Sequence, residues 1–79
     1  MYYVYILQSV SHPEQSYIGC CSDLRDRISR HNRGEVTHTA KFTPWVIRNY
    51  FAFETKEKAF AFERYLKSGS GRAFAKRHF

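Results

Sequence analysis

Residues 2–8 read Tyr-Tyr-Val-Tyr-Ile-Leu-Gln, a run of β-branched and aromatic side chains with no glycine or proline to interrupt it. Such a run is a strand, and it commits the chain to building a sheet. Alternation puts Tyr3, Tyr5 and Leu7 on one face and Tyr2, Val4 and Ile6 on the other. Residues 9–16 are polar and carry His12-Pro13-Glu14, which marks a connection. Residues 17–21 predict a second, shorter strand, returned beside the first as an antiparallel hairpin with a loop rather than a tight turn. Gly19 weakens that strand, so its presence predicts close approach of a backbone or ligand, and Tyr17 shares its face.

Ser22-Asp23 offer an N-cap, Leu24 and Ile28 set an apolar stripe at helical spacing, and Gly34 stands where a left-handed residue ends a helix. A first helix is therefore expected over residues 23–33. It is short and thinly apolar, so packing on the sheet must hold it. Residues 35–43 are polar and aperiodic, and predict a loop whose His38-Thr39-Ala40-Lys41 run faces solvent or ligand before Pro44 closes it. Residues 45–53 predict the third and longest strand. Thr55 caps a second helix reaching residue 67, with Ala59, Phe62 and Leu66 on one face. Gly69 and Gly71 are expected to break it, leaving residues 72–79 as a last short helix with Ala73 and Phe74 turned inward. The expected fold is α+β, in the order β-β-α-β-α-α, with helices flanking a three-stranded antiparallel sheet in one domain over residues 1–79.

A chain of 79 residues supports one modest core, burying about 60–65% of its surface on folding. With 43% apolar and 18% aromatic residues it has enough to pack one, which excludes a disordered segment. No apolar run reaches the roughly 20 residues of a membrane helix, and the N-terminus lacks a signal-peptide pattern, so a cytoplasmic location is expected. Cys20 and Cys21 are adjacent, an awkward geometry for a disulfide, and no Cys/His spacing suits a structural zinc site. Two free thiols fit a reducing compartment.

Thirteen basic residues against seven acidic ones leave a net charge of +6, which points to a polyanionic partner. Placement sharpens this. Arg25, Arg27, Arg30 and Arg33 share the first helix, while Arg64, Lys67, Arg72, Lys76 and Arg77 crowd the C-terminal third. Arg25, Arg30, Arg33, Lys41, Lys67, Arg72 and Lys76 are the candidates for contact with nucleic acid.

Three positions carry the chemistry. Leu24, Arg27, Ile28 and His31 share one helical stripe, so an arginine and an imidazole lie beside residues that pack on the tyrosine-bearing sheet. Glu63 borders the Ala59, Phe62 and Leu66 stripe, where a carboxylate is costly unless paired or bound to metal. An ion pair with Arg27 or Lys67 is one reading of Glu63. A ligand for a hard divalent cation is the other.

This ordered set resembles the GIY-YIG nuclease superfamily, specifically its small stand-alone single-domain members, and the resemblance covers nearly the whole chain. Tyr3-Val4-Tyr5 takes the place of the first tripeptide, and Tyr17-Ile18-Gly19 matches the second. The arginine that follows the second motif by eight positions is Arg27, and His31 stands where the family places a histidine or tyrosine. The helix-borne glutamate that holds the metal corresponds to Glu63, in Phe-Glu-Arg-Tyr-Leu-Lys. There are departures. The leading glycine of the first tripeptide is Tyr3, the lysine that follows the second in repair-type members is Cys20, and a late asparagine has only Ser68 and Ser70 near it.

The resemblance implies a metal-dependent endonuclease using one Mg²⁺ or Mn²⁺ on Glu63, with DNA as substrate and RNA as the alternative. Unusual or single-stranded structures are expected, because so small a domain has no room for a separate sequence-reading module. Arg27 would neutralise charge in the transition state. Tyr17 would position or deprotonate the attacking water, its proton drawn off by His31 or the metal-bound shell, with Tyr5 in support. Which of Tyr5, Tyr17 and His31 takes the proton stays open at this point. The competing reading is a nucleic-acid-binding module with a dead site.

Overall fold

A strand with apolar residues on both faces must lie inside a sheet that is covered on both sides. The computed structural model, which describes residues 1–79, places β1 (Tyr2–Ser9) in that position. β2 (Ser16–Cys21) and β3 (Trp45–Phe53) flank it, giving an antiparallel sheet of order β2-β1-β3. The alternation divides the core in two. Val4 and Ile6 pack against Ala59 and Leu66 of α2 (Lys56–Lys67), with Phe51, Phe53, Phe62 and Phe79 around them. On the opposite face Tyr5, Leu7 and Trp45 pack against Leu24 and Ile28 of α1 (Leu24–Asn32). Each such fully buried apolar side chain stabilises the fold by about 1.5–3 kcal/mol. The expected α+β architecture and element order are the ones observed.

Both sheet pairings involve Tyr5. Tyr5 lies opposite Gly19 on β2 and opposite Tyr50 on β3. The β1–β3 register steps from Ile6↔Asn49 to Leu7↔Ile47, so Arg48 is the extra residue of a bulge.

Three local expectations are corrected. The C-terminal helix, α3, spans Gly69–His78 and starts at the first glycine rather than after the second. Ser68 makes the break between the helices. Its backbone is extended, its N–H donates to the Tyr65 carbonyl near the end of α2, and its hydroxyl caps α3 by accepting from the Gly71 N–H in the first turn. Gly71 is needed because a Cβ there would run into the Tyr65 carbonyl. That contact fixes the rotation of α3, so Gly71 is buried, Ala75 and Phe79 pack inward, and Ala73 and Phe74 are exposed. Thr39, expected on a solvent-facing run, is buried at 1% exposure, on the turn entering the short 3₁₀ segment Ala40–Phe42.

Candidate active site

The stripe that holds α1 on the sheet also carries Arg27 and His31 down to it. Asp23 fixes the start of α1 by accepting the Asp26 N–H at 3.0 Å. Asn32 fixes its end: its Oδ1 accepts the Trp45 N–H at 2.6 Å and its Nδ2 donates to the Trp45 carbonyl at 3.1 Å. His31, one residue before this clamp, is fully buried.

Both ring nitrogens of His31 are engaged. Nε2 lies 3.0 Å from the Tyr5 hydroxyl and Nδ1 lies 2.7 Å from Thr39 Oγ1. The Thr39 hydroxyl gives its one proton to the Val36 carbonyl at 3.3 Å, so its oxygen accepts from Nδ1–H. Nε2 is then the bare nitrogen, and the Tyr5 O–H donates to it. The Trp45 indole N–H pins the threonine backbone by donating to its carbonyl at 2.9 Å. A directed chain results, from Tyr5 through His31 to Thr39.

Gly19 makes this chain possible, since a Cβ opposite Tyr5 would overlap its hydroxyl. Tyr17, on the same face as Gly19, is half-buried, with its ring centroid 5.0 Å from that of His31 and 6.3 Å from that of Tyr5. The group hydrogen-bonded at His31 Nε2 is Tyr5, with Tyr17 beside the pair.

Burial holds His31 below the ordinary imidazole range, with repulsion from Arg27 as the second cause. Burial likewise pushes Tyr5 well above the usual tyrosine range, Tyr17 adds to the rise, and Arg27 opposes it. A stability effect follows. Between pH 6.5 and the lowered value, the unfolded chain binds a proton that the folded His31 resists, so stability is full above about pH 6.5 and declines as pH falls below it. Urea midpoints across pH 5–8 should show this decline, and His31→Gln should flatten it. An unchanged pH dependence in the variant would assign the decline to other groups.

Arg27 acts on four groups at once: Tyr5, His31, Cys20 and Cys21. The Cys20 thiol is raised first by burial and then by the Glu63 carboxylate, with the charges of Arg27 and Lys56 opposing. Glu63 is 20% exposed and its ion pair is with Lys67, at 3.4 Å, not with Arg27. That long single contact leaves oxygen lone pairs open to solvent. No three His, Cys, Asp or Glu side chains cluster anywhere, and a lone carboxylate fits the way Mg²⁺ binds, through one or two carboxylates with several waters and substrate phosphate.

The basic candidates divide. Arg30 pairs with Asp26 at 3.1 Å and Arg33 with Glu35 at 2.6 Å, both about half exposed. Arg25 and Lys41 are exposed and make no ion pair, and Lys67, Arg72 and Lys76 line one cleft together with Arg48. Tyr3 meets Tyr50 of β3, ring centroids 6.2 Å apart. Ser68, offered as a stand-in for the late asparagine, is used in the α2–α3 junction. Sequence reading missed Thr39, Asn32 and Arg48. A threonine eight residues after a histidine has no local signature, and the bulge that makes Arg48 the extra residue shows only in the strand register.

The family model for the GIY-YIG catalytic domain matches residues 1–77. No curated protein matches the chain.

Proposed function

The chain belongs to the GIY-YIG catalytic domain family of nucleases, and we propose that it is a divalent-metal-dependent endonuclease acting on branched or single-stranded DNA. The observation that carries this reading is the directed Tyr5–His31–Thr39 chain with Arg27 and Tyr17 beside it. A buried neutral imidazole aligned to receive a phenol proton is a base held ready, and its lowered affinity for protons keeps it neutral near pH 7.

In this mechanism Tyr17, the partly exposed tyrosine, positions the attacking water. The Tyr5–His31 pair behind it takes up the proton: as the Tyr5 oxygen gains one, His31 Nε2 receives the proton Tyr5 gives up. Thr39 Oγ1 keeps the resulting imidazolium hydrogen-bonded at Nδ1. Arg27 offers its planar fork to the phosphate oxygens as charge builds on them. Glu63 would hold a divalent ion, Mg²⁺ or Mn²⁺, which polarises the phosphate and stabilises the leaving oxygen. Both cysteines are free and burial raises their pKa, so they stay neutral thiols, which fits a reducing cytoplasmic setting. No helix is long and apolar enough to cross a membrane.

Incubation with a panel of single-stranded, nicked, branched and duplex DNA, with Mg²⁺, Mn²⁺ or EDTA, tests the proposal. Cleavage of the open structures, lost in EDTA, is the expected result. Retained binding with no cleavage under any metal would make the chain a binding module instead.

A further inference from the structure

The broadest concavity of the molecule is a cleft of about 590 Å³ on the sheet face opposite the Tyr5–His31 chain, lined from all three strands and from α2 and α3. Its floor includes Ile6, Ile18 and Ala75, and four cations line it: Arg48, Lys67, Arg72 and Lys76. Glu14 is its one acidic side chain. Arg48, Arg72 and Lys76 make no ion pair with any carboxylate of the chain, while Lys67 is tied to Glu63 at 3.4 Å. Four cations facing one carboxylate leave the cleft net positive, and an anion bound among them relieves their mutual repulsion. The β-bulge is part of the construction, since Arg48 is the unpaired extra residue at the wall.

The cleft connects with the candidate active site at two points. Tyr17 belongs to both, and Lys67 joins its wall to Glu63. Tyr17 and Lys67 thus border both the cleft and the candidate site residues, so a strand bound at one lies next to the other. Its volume falls in the roughly 300–1,000 Å³ range of small-ligand pockets. That admits the base, sugar and phosphate of an unpaired nucleotide and excludes a duplex. The apolar floor suits a base or sugar face, and the cations suit phosphate.

We propose that this cleft grips an unpaired nucleotide next to the scissile phosphate, with Arg48, Arg72 and Lys76 on its phosphates, and that this makes the protein selective for single strands. The proposal rests on the nuclease reading, and binding without turnover separates the two. Anisotropy titrations of a cleavage-blocked Glu63→Gln protein with a labelled single strand and the matching duplex give the measurement. Combined Arg48→Gln, Arg72→Gln and Lys76→Gln should weaken single-strand binding at least about tenfold. The slope of log affinity against log salt should shrink by about 2, as expected for three phosphate contacts at ~0.7 each. Duplex binding should change little. Glu14→Gln should tighten single-strand binding, an independent arm that needs no loss of function. Equal losses on single strand and duplex, or no loss on the single strand, overturn the cleft assignment. Cleft-dependent single-strand binding by a parent protein that cuts nothing would support the cleft and sink the nuclease reading.

Discussion

Glu63→Gln is expected to lower metal-dependent cleavage by at least about 10²–10³, the loss typical of removing one aimed electrostatic group from a reacting centre, while leaving the fold in place. The two halves of this expectation come from different facts. Glutamine keeps the shape and the hydrogen-bonding oxygen but loses the charge that binds a hard cation. The structural cost should be small, because the carboxylate's one protein partner is Lys67 at 3.4 Å, one turn along the same helix. Such (i, i+4) pairs contribute about 0.3–0.5 kcal/mol. Urea denaturation should therefore give a nearly unchanged midpoint beside an abolished Mg²⁺ or Mn²⁺ response. A large drop in stability, with the metal response intact in the remaining folded protein, would make Glu63 a structural ion-pair partner and remove the metal from the mechanism.

The placement of these residues shows what sequence can and cannot reveal here. Both sheet faces were legible in β1, because a period of two sorts Tyr5 and Leu7 from Val4 and Ile6 whatever packs on them. The α1 stripe was legible for the same reason, and it brought Arg27 and His31 into the site with Leu24 and Ile28. Gly19 was read as a place of close approach, and the approaching group is the Tyr5 hydroxyl. What escaped depends on three-dimensional coincidence. Thr39 becomes the partner of His31 only because Asn32 and Trp45 fold the intervening loop back beneath α1. Intrinsic preference makes Gly71 a helix breaker, whereas its tight contact with the Tyr65 carbonyl lets the first turn of α3 pack against the end of α2. Arg48 reads as an ordinary strand residue until the bulge between its neighbours' partners is seen.

Arg27→Ala should reduce the single-turnover rate by on the order of 10² or more, as loss of one donor aimed at developing charge does, and it should also move the pH profile. The other arginines near α1 are internal controls. Arg30 and Arg33 already carry counter-charges on Asp26 and Glu35, and Arg25 is exposed, so alanine at each should cost only a modest share of binding. Arg27 differs because its charge falls on His31, the proposed base: it is the second cause, after burial, that holds His31 low. Removing that repulsion raises the His31 pKa, so the acid limb of the rate profile should shift to higher pH in Arg27→Ala. A histidine NMR titration should follow the same displacement. Arg27→Lys keeps the positive charge and should largely restore the pH profile, but not the rate, because an ammonium lacks the planar fork that pairs with two phosphate oxygens. This split between profile and rate distinguishes a guanidinium acting on the transition state from a cation that only sets the local potential. If Arg27→Lys recovered both, charge alone would suffice and the fork would have no role. If all four alanine variants behaved alike, Arg27 would be one more phosphate contact, and the Tyr5–His31 pair would work without a cation of its own.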